Sequence, residues 1–145
     1  MKIRELQGND IALGHAAMFE LRGQRPALAS AQAFQDWVTQ AAAQQGYRLA
    51  AAFDDAAQAQ AVCGFRVLEM LYSGRQLYID DLSTLPAARG RGHARALLEW
   101  AEAEARRLGC ESLHLDSGVQ RFPAHRLYLK AGMDITAHHF AKGLK

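Results

Sequence analysis

The chain has little to cross-link it and nothing to hold it in a bilayer. Two cysteines, Cys63 and Cys110, among 145 residues are too few for a disulfide framework and lack zinc-ligand spacing, so both read as reduced and structural. No apolar run reaches the roughly 18 residues of a membrane span. The segment Met1 to Gln7 carries charge where a signal peptide needs its apolar stretch. A cytoplasmic protein without a membrane partner is expected. An excess of charge of one sign is also lacking. A formal net charge of +2 excludes recognition of nucleic acid or a membrane surface through bulk charge, so any anion must be held locally. Repeats, linkers and low-complexity tracts are missing apart from an alanine bias, and nothing calls for a second domain.

Half of the residues are apolar and 22% are charged, the balance of a globular chain rather than a disordered one. The length suits one domain, residues 1–145, able to bury roughly 68–70% of the surface its unfolded chain exposes.

Periodicity then orders the elements. Residues 2–7 read as a strand, and Asn9-Asp10 offers a cap for a helix to Leu21 that the Gly23-Gln24-Arg25-Pro26 segment breaks. Ser30 caps a second helix, with Phe34, Trp37, Val38 and Ala41 on one stripe and Gly46 as its stop. Tyr47 to Phe53 and Ala59 to Leu71 favour strands joined around Asp54-Asp55, and a clearer strand runs from Gln76 to Leu85, where Pro86 ends it. Ala94, Leu97, Leu98, Ala101, Ala105 and Leu108 line a helix face that Gly109 closes. A strand from Glu111 to Asp116, a helix from Ala124 to Ala131 and a last strand from Met133 to Phe140 complete the order. The class is α/β (α+β): a mixed, mostly antiparallel central sheet of about six to seven strands with about four helices.

Between the clearest strand and the strongest helix lies Arg89-Gly90-Arg91-Gly92-His93-Ala94. A helix start has unpaired N–H groups and a partial positive charge, so an anion there gains hydrogen bonds and favourable electrostatics. The glycines permit close approach, and Arg89 and Arg91 add charge that suits a diphosphate. An ordinary strand-to-helix connection would use the same residues, and the turn alone does not decide between them. A P-loop needs a Gly-Lys-Ser/Thr ending and a dinucleotide fold needs three glycines early in the chain; neither is present. An RNA-binding Arg-Gly box would be repeated and disordered, whereas this segment opens a helix.

The stretch Tyr78-Ile79-Asp80-Asp81-Leu82-Ser83-Thr84-Leu85-Pro86-Ala87-Ala88-Arg89-Gly90-Arg91-Gly92-His93-Ala94 resembles the central strand and Arg/Gln-x-x-Gly-x-Gly/Ala signature of the GCN5-related N-acetyltransferase (GNAT) superfamily. Ala124-His125-Arg126-Leu127-Tyr128-Leu129-Lys130-Ala131-Gly132-Met133 is similar to a second segment of that family. The resemblance implies acetyl-CoA as donor, with its pantetheine arm paired to the backbone of Leu82, Ser83 and Thr84 in a split sheet. The pyrophosphate would lie on the amides of Arg89, Gly90, Arg91, Gly92, His93 and Ala94. One departure is Arg121, where the family often has asparagine. The resemblance also implies a homodimer, because similar proteins often pair.

Amine attack on a thioester needs the neutral base, although a free alkyl amine near pKa ~10 is almost wholly protonated at neutral pH. A proton acceptor, an oxyanion donor and a proton for the departing thiolate are therefore sought. Tyr128 is the family-like donor to sulfur, with simple packing as the alternative. Asp80 and Asp81 are candidates for base or for holding a cationic amine such as a polyamine, an aminoglycoside or a lysine side chain. Neighbouring strand residues face opposite ways, so at most one of the two is expected to face the acceptor. Asp80 is favoured because it resembles the acidic position of polyamine acetyltransferases, while Asp81 reads equally well as structural.

His138-His139 and the pair His114 and Asp116 lack a third ligand at metal spacing, and no metal is expected. His93 reads as giving its amide rather than its ring, and Trp37 and Phe34 read first as core. The leading expectation is an N-acetyltransferase acting on a small-molecule amine. The alternative is a non-catalytic acyl-CoA-binding regulatory domain.

Overall fold

Five strands form one sheet in the order β1-β2-β3-β4-β5: β1 Lys2–Glu5, β2 Arg48–Phe53, β3 Ala61–Met70, β4 Gly74–Thr84 and β5 Ser112–Leu115. Each of the first four is antiparallel to its neighbour, and β5 joins β4 in parallel. The computed structural model describes residues 1–55 and 57–145. Part of the expected β2–β3 loop, residue 56, lies outside the described residues. The chain forms two compact units, Met1–Leu115 and Asp116–Lys145, and the whole sheet belongs to the first.

The mixed, mostly antiparallel class stands, but among the described residues five strands replace the expected six or seven. Residues 133–140 contain no strand. Ile135 and Phe140 are 74% and 91% exposed, so alternation along this segment buries no apolar face to offset the entropy of ordering it.

Four α-helices are described: α1 His15–Arg22, α2 Ala31–Gln45, α3 His93–Arg107 and α4 Phe122–Lys130. Ser30 caps α2 as expected, its Oγ accepting the Ala33 amide at 3.0 Å, and Gly46 ends it. Asn9 and Asp10 do not cap α1. They lie in a 3₁₀ turn, Gly8–Gly14, where Asp10 takes Arg4 at 2.8 Å and Asn9 takes Gln35 at 3.2 Å. Side-chain partners elsewhere thus compete with the local cap.

On one sheet face this turn, α1 and α2 close a core that includes Leu6, Ile11, Met18, Phe34, Leu49 and Val62. α3 covers the other face, where Trp100 meets the buried Phe65 edge-on with ring centroids 5.8 Å apart. Burying a side chain of this kind stabilises the fold by roughly 1.5–3 kcal/mol. A charged network borders that layer. Arg48 reaches Glu5 at 2.6 and 2.9 Å and also binds Glu104, which takes Arg107 at 2.5 Å. With the Arg107 bond as the largest influence, these contacts pull the Glu104 carboxyl down to about 2.

Among the described residues, no helix is long and apolar enough to cross a membrane. Cys63 and Cys110 are free thiols, and burial pushes that of Cys63 up.

Candidate functional site

The glycine turn begins where β4 ends. A short 3₁₀ turn, Pro86–Ala88, leads into Arg89, and Gly90 and Gly92 then adopt φ of +77° and +87°. That left-handed geometry is open to glycine and strained for other residues. Gly92 is the N-cap of α3. The helix ladder opens with the Ala96 amide on the Gly92 carbonyl at 3.0 Å, so the amides of His93, Ala94 and Arg95 precede it and point out of the helix end. Sequence reasoning anticipated this part.

It did not anticipate Asp54, which follows β2 and braces the turn. Asp54 binds Arg91, and its Oδ1 accepts from Nε2 of His93 at 2.9 Å. The His93 bond is the main influence holding the Asp54 carboxyl below its ordinary range. His93 is 2% exposed, and its Nδ1 has no hydrogen-bond partner among the described residues. Its imidazole is therefore part of the brace, beyond the amide alone. Arg89 binds Glu20 of α1 at 3.0 Å.

β4 itself is paired unequally. Toward β3 the ladder runs to Thr84, opposite Ala61, whereas toward β5 it stops at Ile79, opposite Leu115. Among the described residues no strand pairs with the β5-side edge of Leu82, Ser83 and Thr84. The main chain there is an unpaired strand edge that the Pro86–Ala88 turn joins to the glycine turn, a shape suited to an extended polar chain ending in a diphosphate.

A β-bulge divides the open part of β4 from the paired part. Gly64 opposes Asp81 and Phe65 opposes Ile79, so Asp80 is the extra residue and breaks the two-residue alternation. Simple alternation therefore does not describe this stretch, although only Asp81 of the two acids lines the cavity described below. One guanidinium bridges them: Arg22 donates through Nε to Asp81 Oδ1 at 2.9 Å and through a terminal nitrogen to the Asp80 carbonyl at 3.2 Å.

The acids nevertheless have different partners. Asp80 is clamped by Arg66, with contacts of 2.7 and 2.9 Å to its two oxygens. Burial outweighs that clamp and leaves its carboxyl raised. Asp81 Oδ2 accepts the Tyr47 hydroxyl at 2.8 Å. Burial first, then the charge of Asp81, holds the Tyr47 phenol protonated far above its usual range. Gly64 makes this contact possible, because a Cβ there would stand 1.7 Å from the Tyr47 hydroxyl.

Asp81 and Tyr47 line a cavity of about 570 Å³ together with Arg22, Arg25, Phe34 and Trp37. Ligand sites of small molecules have this size. Sequence reasoning favoured Asp80, but Asp81 is the acid that lines the cavity. Phe34 is core as expected, while Trp37 is 41% exposed and stands edge-on to Tyr47 at 5.2 Å. Tyr47, Arg22 and Arg25 were missed. The available signals were an aromatic residue directly after the Gly46 stop and two arginines flanking a helix break.

In the second unit, α4 carries Tyr128, which is half-buried. His125 contacts the Gly118 carbonyl at 2.7 Å, and His139 approaches Asp116 at 3.6 Å. In the first unit His114 contacts Ser112 at 2.8 Å.

Comparison with known proteins shows the family and the fold. Residues 13–133 match the acetyltransferase (GNAT) family. The chain is 35% identical over 99 residues to the uncharacterized N-acetyltransferase YhdJ of Bacillus subtilis, across 68% of this chain and 69% of that protein. It is 41% identical over 66 residues to the aminoalkylphosphonate N-acetyltransferase of Salmonella typhimurium, across 46% and 43% of the two chains. The fold is similar to that of the aminoglycoside N-acetyltransferase AAC(6')-Iy solved in complex with CoA. That similarity has a TM-score of 0.82 at 16% identity and covers 99% of this chain and 95% of that one.

Proposed function

The chain belongs to the acetyltransferase (GNAT) family, and from that premise we propose that it transfers the acetyl group of acetyl-CoA to the primary amine of a small acceptor. One observation carries the reading. The open edge of β4 leads through the short Pro86–Ala88 turn into a left-handed glycine turn and the exposed first amides of α3. Backbone groups of Leu82, Ser83 and Thr84 bind the pantetheine arm, and the amides from Gly90 to Ala94 bind the pyrophosphate together with the Arg89 guanidinium, the Arg89 amide itself donating to the Pro86 carbonyl at 3.3 Å. Glu20 and Asp54 hold Arg89 and Arg91 in the meantime, and the diphosphate competes with them for these guanidiniums.

Transfer is by direct attack. The amine nitrogen bonds to the thioester carbonyl carbon, the C–S bond breaks, and sulfur leaves as thiolate. Asp81 is the acid at the acceptor end, holding the incoming ammonium and taking its proton directly or through water. Tyr128 is the donor to the leaving sulfur. Asp80, held by Arg66, positions the bulge. The relatives named for an aminoalkylphosphonate and an aminoglycoside support a small-molecule acceptor. Because the family match runs from residue 13 to 133, the chain is read as one catalytic domain, and a homodimer is its expected assembly.

Titration calorimetry with acetyl-CoA tests the donor assignment. One-to-one binding that weakens in Gly92→Ala is expected, because alanine at that φ costs roughly 1–2 kcal/mol. A folded protein that evolves no heat with acetyl-CoA would refute it.

A further inference from the structure

We infer that the acceptor carries an anionic group, a carboxylate or a phosphonate, in addition to its amine, and that Arg25 binds that group. This rests on the acetyltransferase reading and names the acceptor class for the same site.

The cavity's charges support a zwitterion over a polycation. Arg22, Arg25 and Asp81 line it. Asp81 is already compensated, with Arg22 on one oxygen and Tyr47 on the other, and the neighbouring Asp80 is compensated by Arg66. Among the described residues no acid lies within ion-pair distance of Arg25. The charge left over is therefore a guanidinium, a planar donor suited to the paired oxygens of a carboxylate or phosphonate. A second ammonium on the acceptor would be repelled by it.

The backbone of Arg25 is also held in place, with its side chain exposed at the cavity. Its amide donates to the Arg22 carbonyl at 3.0 Å, and its own carbonyl accepts the Leu28 amide at 3.0 Å. Pro26 restricts it to the extended backbone observed, φ −85° and ψ 141°. Apolar side chains of Met18, Leu28, Phe34 and Trp37 make up much of the remaining lining. The matching acceptor has an amine for Asp81, an apolar spacer and an anion for Arg25.

The test uses ω-amino acids, aminoalkylphosphonates, monoamines and diamines of matched chain length, with kcat/KM read from release of the CoA thiol. The anionic amines are expected to exceed the diamines by about tenfold or more, the scale of one charged hydrogen bond. Arg25→Gln should collapse that ratio toward one, through KM. A preference for diamines, or an Arg25→Gln variant that retains the wild-type ratio, overturns the inference while leaving the acetyltransferase reading intact. Thermal shifts with the same compounds and CoA separate the two claims. Stabilisation by anionic amines without turnover supports the charge assignment and removes the acetyl-transfer reading, whereas neither stabilisation nor turnover overturns the inference as well.

Discussion

The Tyr47 hydroxyl donates to Oδ2 of Asp81 at 2.8 Å, joining the residue ahead of β2 to the bulge of β4 across 34 positions of sequence. With Arg22 on the other oxygen, it fixes the Asp81 carboxylate at the cavity wall. Asp81→Asn is expected to lower kcat/KM for acetyl transfer by about a hundredfold, the low end of general acid–base contributions. Asp80→Asn, which loosens the Arg66 clamp away from the acceptor amine, should cost less. Steady-state kinetics on both variants give the comparison, and equal losses would contradict the assignment.

Gly64 serves the same pair by leaving room. An alanine Cβ would stand 1.7 Å from the Tyr47 hydroxyl oxygen and 2.4 Å from its ring carbon. Gly64→Ala should destabilise the protein by about 1–3 kcal/mol and reduce acetyl transfer through displacement of Tyr47. Adding Tyr47→Phe, which removes the nearest atom, should give a combined loss smaller than the sum of the two. Urea midpoints for the single and double variants measure that coupling.

Much of the architecture proposed to hold the donor was legible because it is continuous in sequence. The strand, the glycines and the helix face of Leu97, Leu98 and Ala101 are read from one uninterrupted stretch. The acceptor side was not. Tyr47, the Arg22–Arg25 segment and Asp81 come from three places in the chain, and only tertiary packing brings them together. The bulge at Asp80 was hidden as well: alternation predicts opposite faces for neighbouring acids, and no local residue pattern announces the extra position. The missing strand at 133–140 is a third case. Isolated apolar residues such as Ile135 and Phe140 imitate alternation without a surface to cover them.

Acid should weaken the fold partly through Glu104. Its folded-state value of about 2 lies below the ordinary 4.5, so the unfolded chain binds a proton more readily. The stability this group contributes is complete above pH 4.5 and is lost as the pH falls toward 2. Glu104→Gln should lower stability at neutral pH and flatten the loss across that window. Thermal unfolding of wild type and variant from pH 7 to pH 3 detects it as converging midpoints.

Tyr128→Phe separates chemistry from binding. If the hydroxyl protonates the leaving sulfur, kcat falls by about tenfold or more while the calorimetric Kd for acetyl-CoA stays within about twofold, because only a group acting in the transition state lowers kcat without changing ground-state affinity. A reduced affinity at unchanged single-turnover rate would assign the tyrosine to packing.

Acetyl transfer from a thioester to an amine is measured most directly by incubating the protein with acetyl-CoA and a panel of primary amines, following thiol release and identifying the product by mass spectrometry. The expected result is amine-dependent thiol release with an N-acetylated product, abolished or strongly reduced in Asp81→Asn. Tight acetyl-CoA binding with no amine-dependent release across the panel, and no acetylated product, would contradict it.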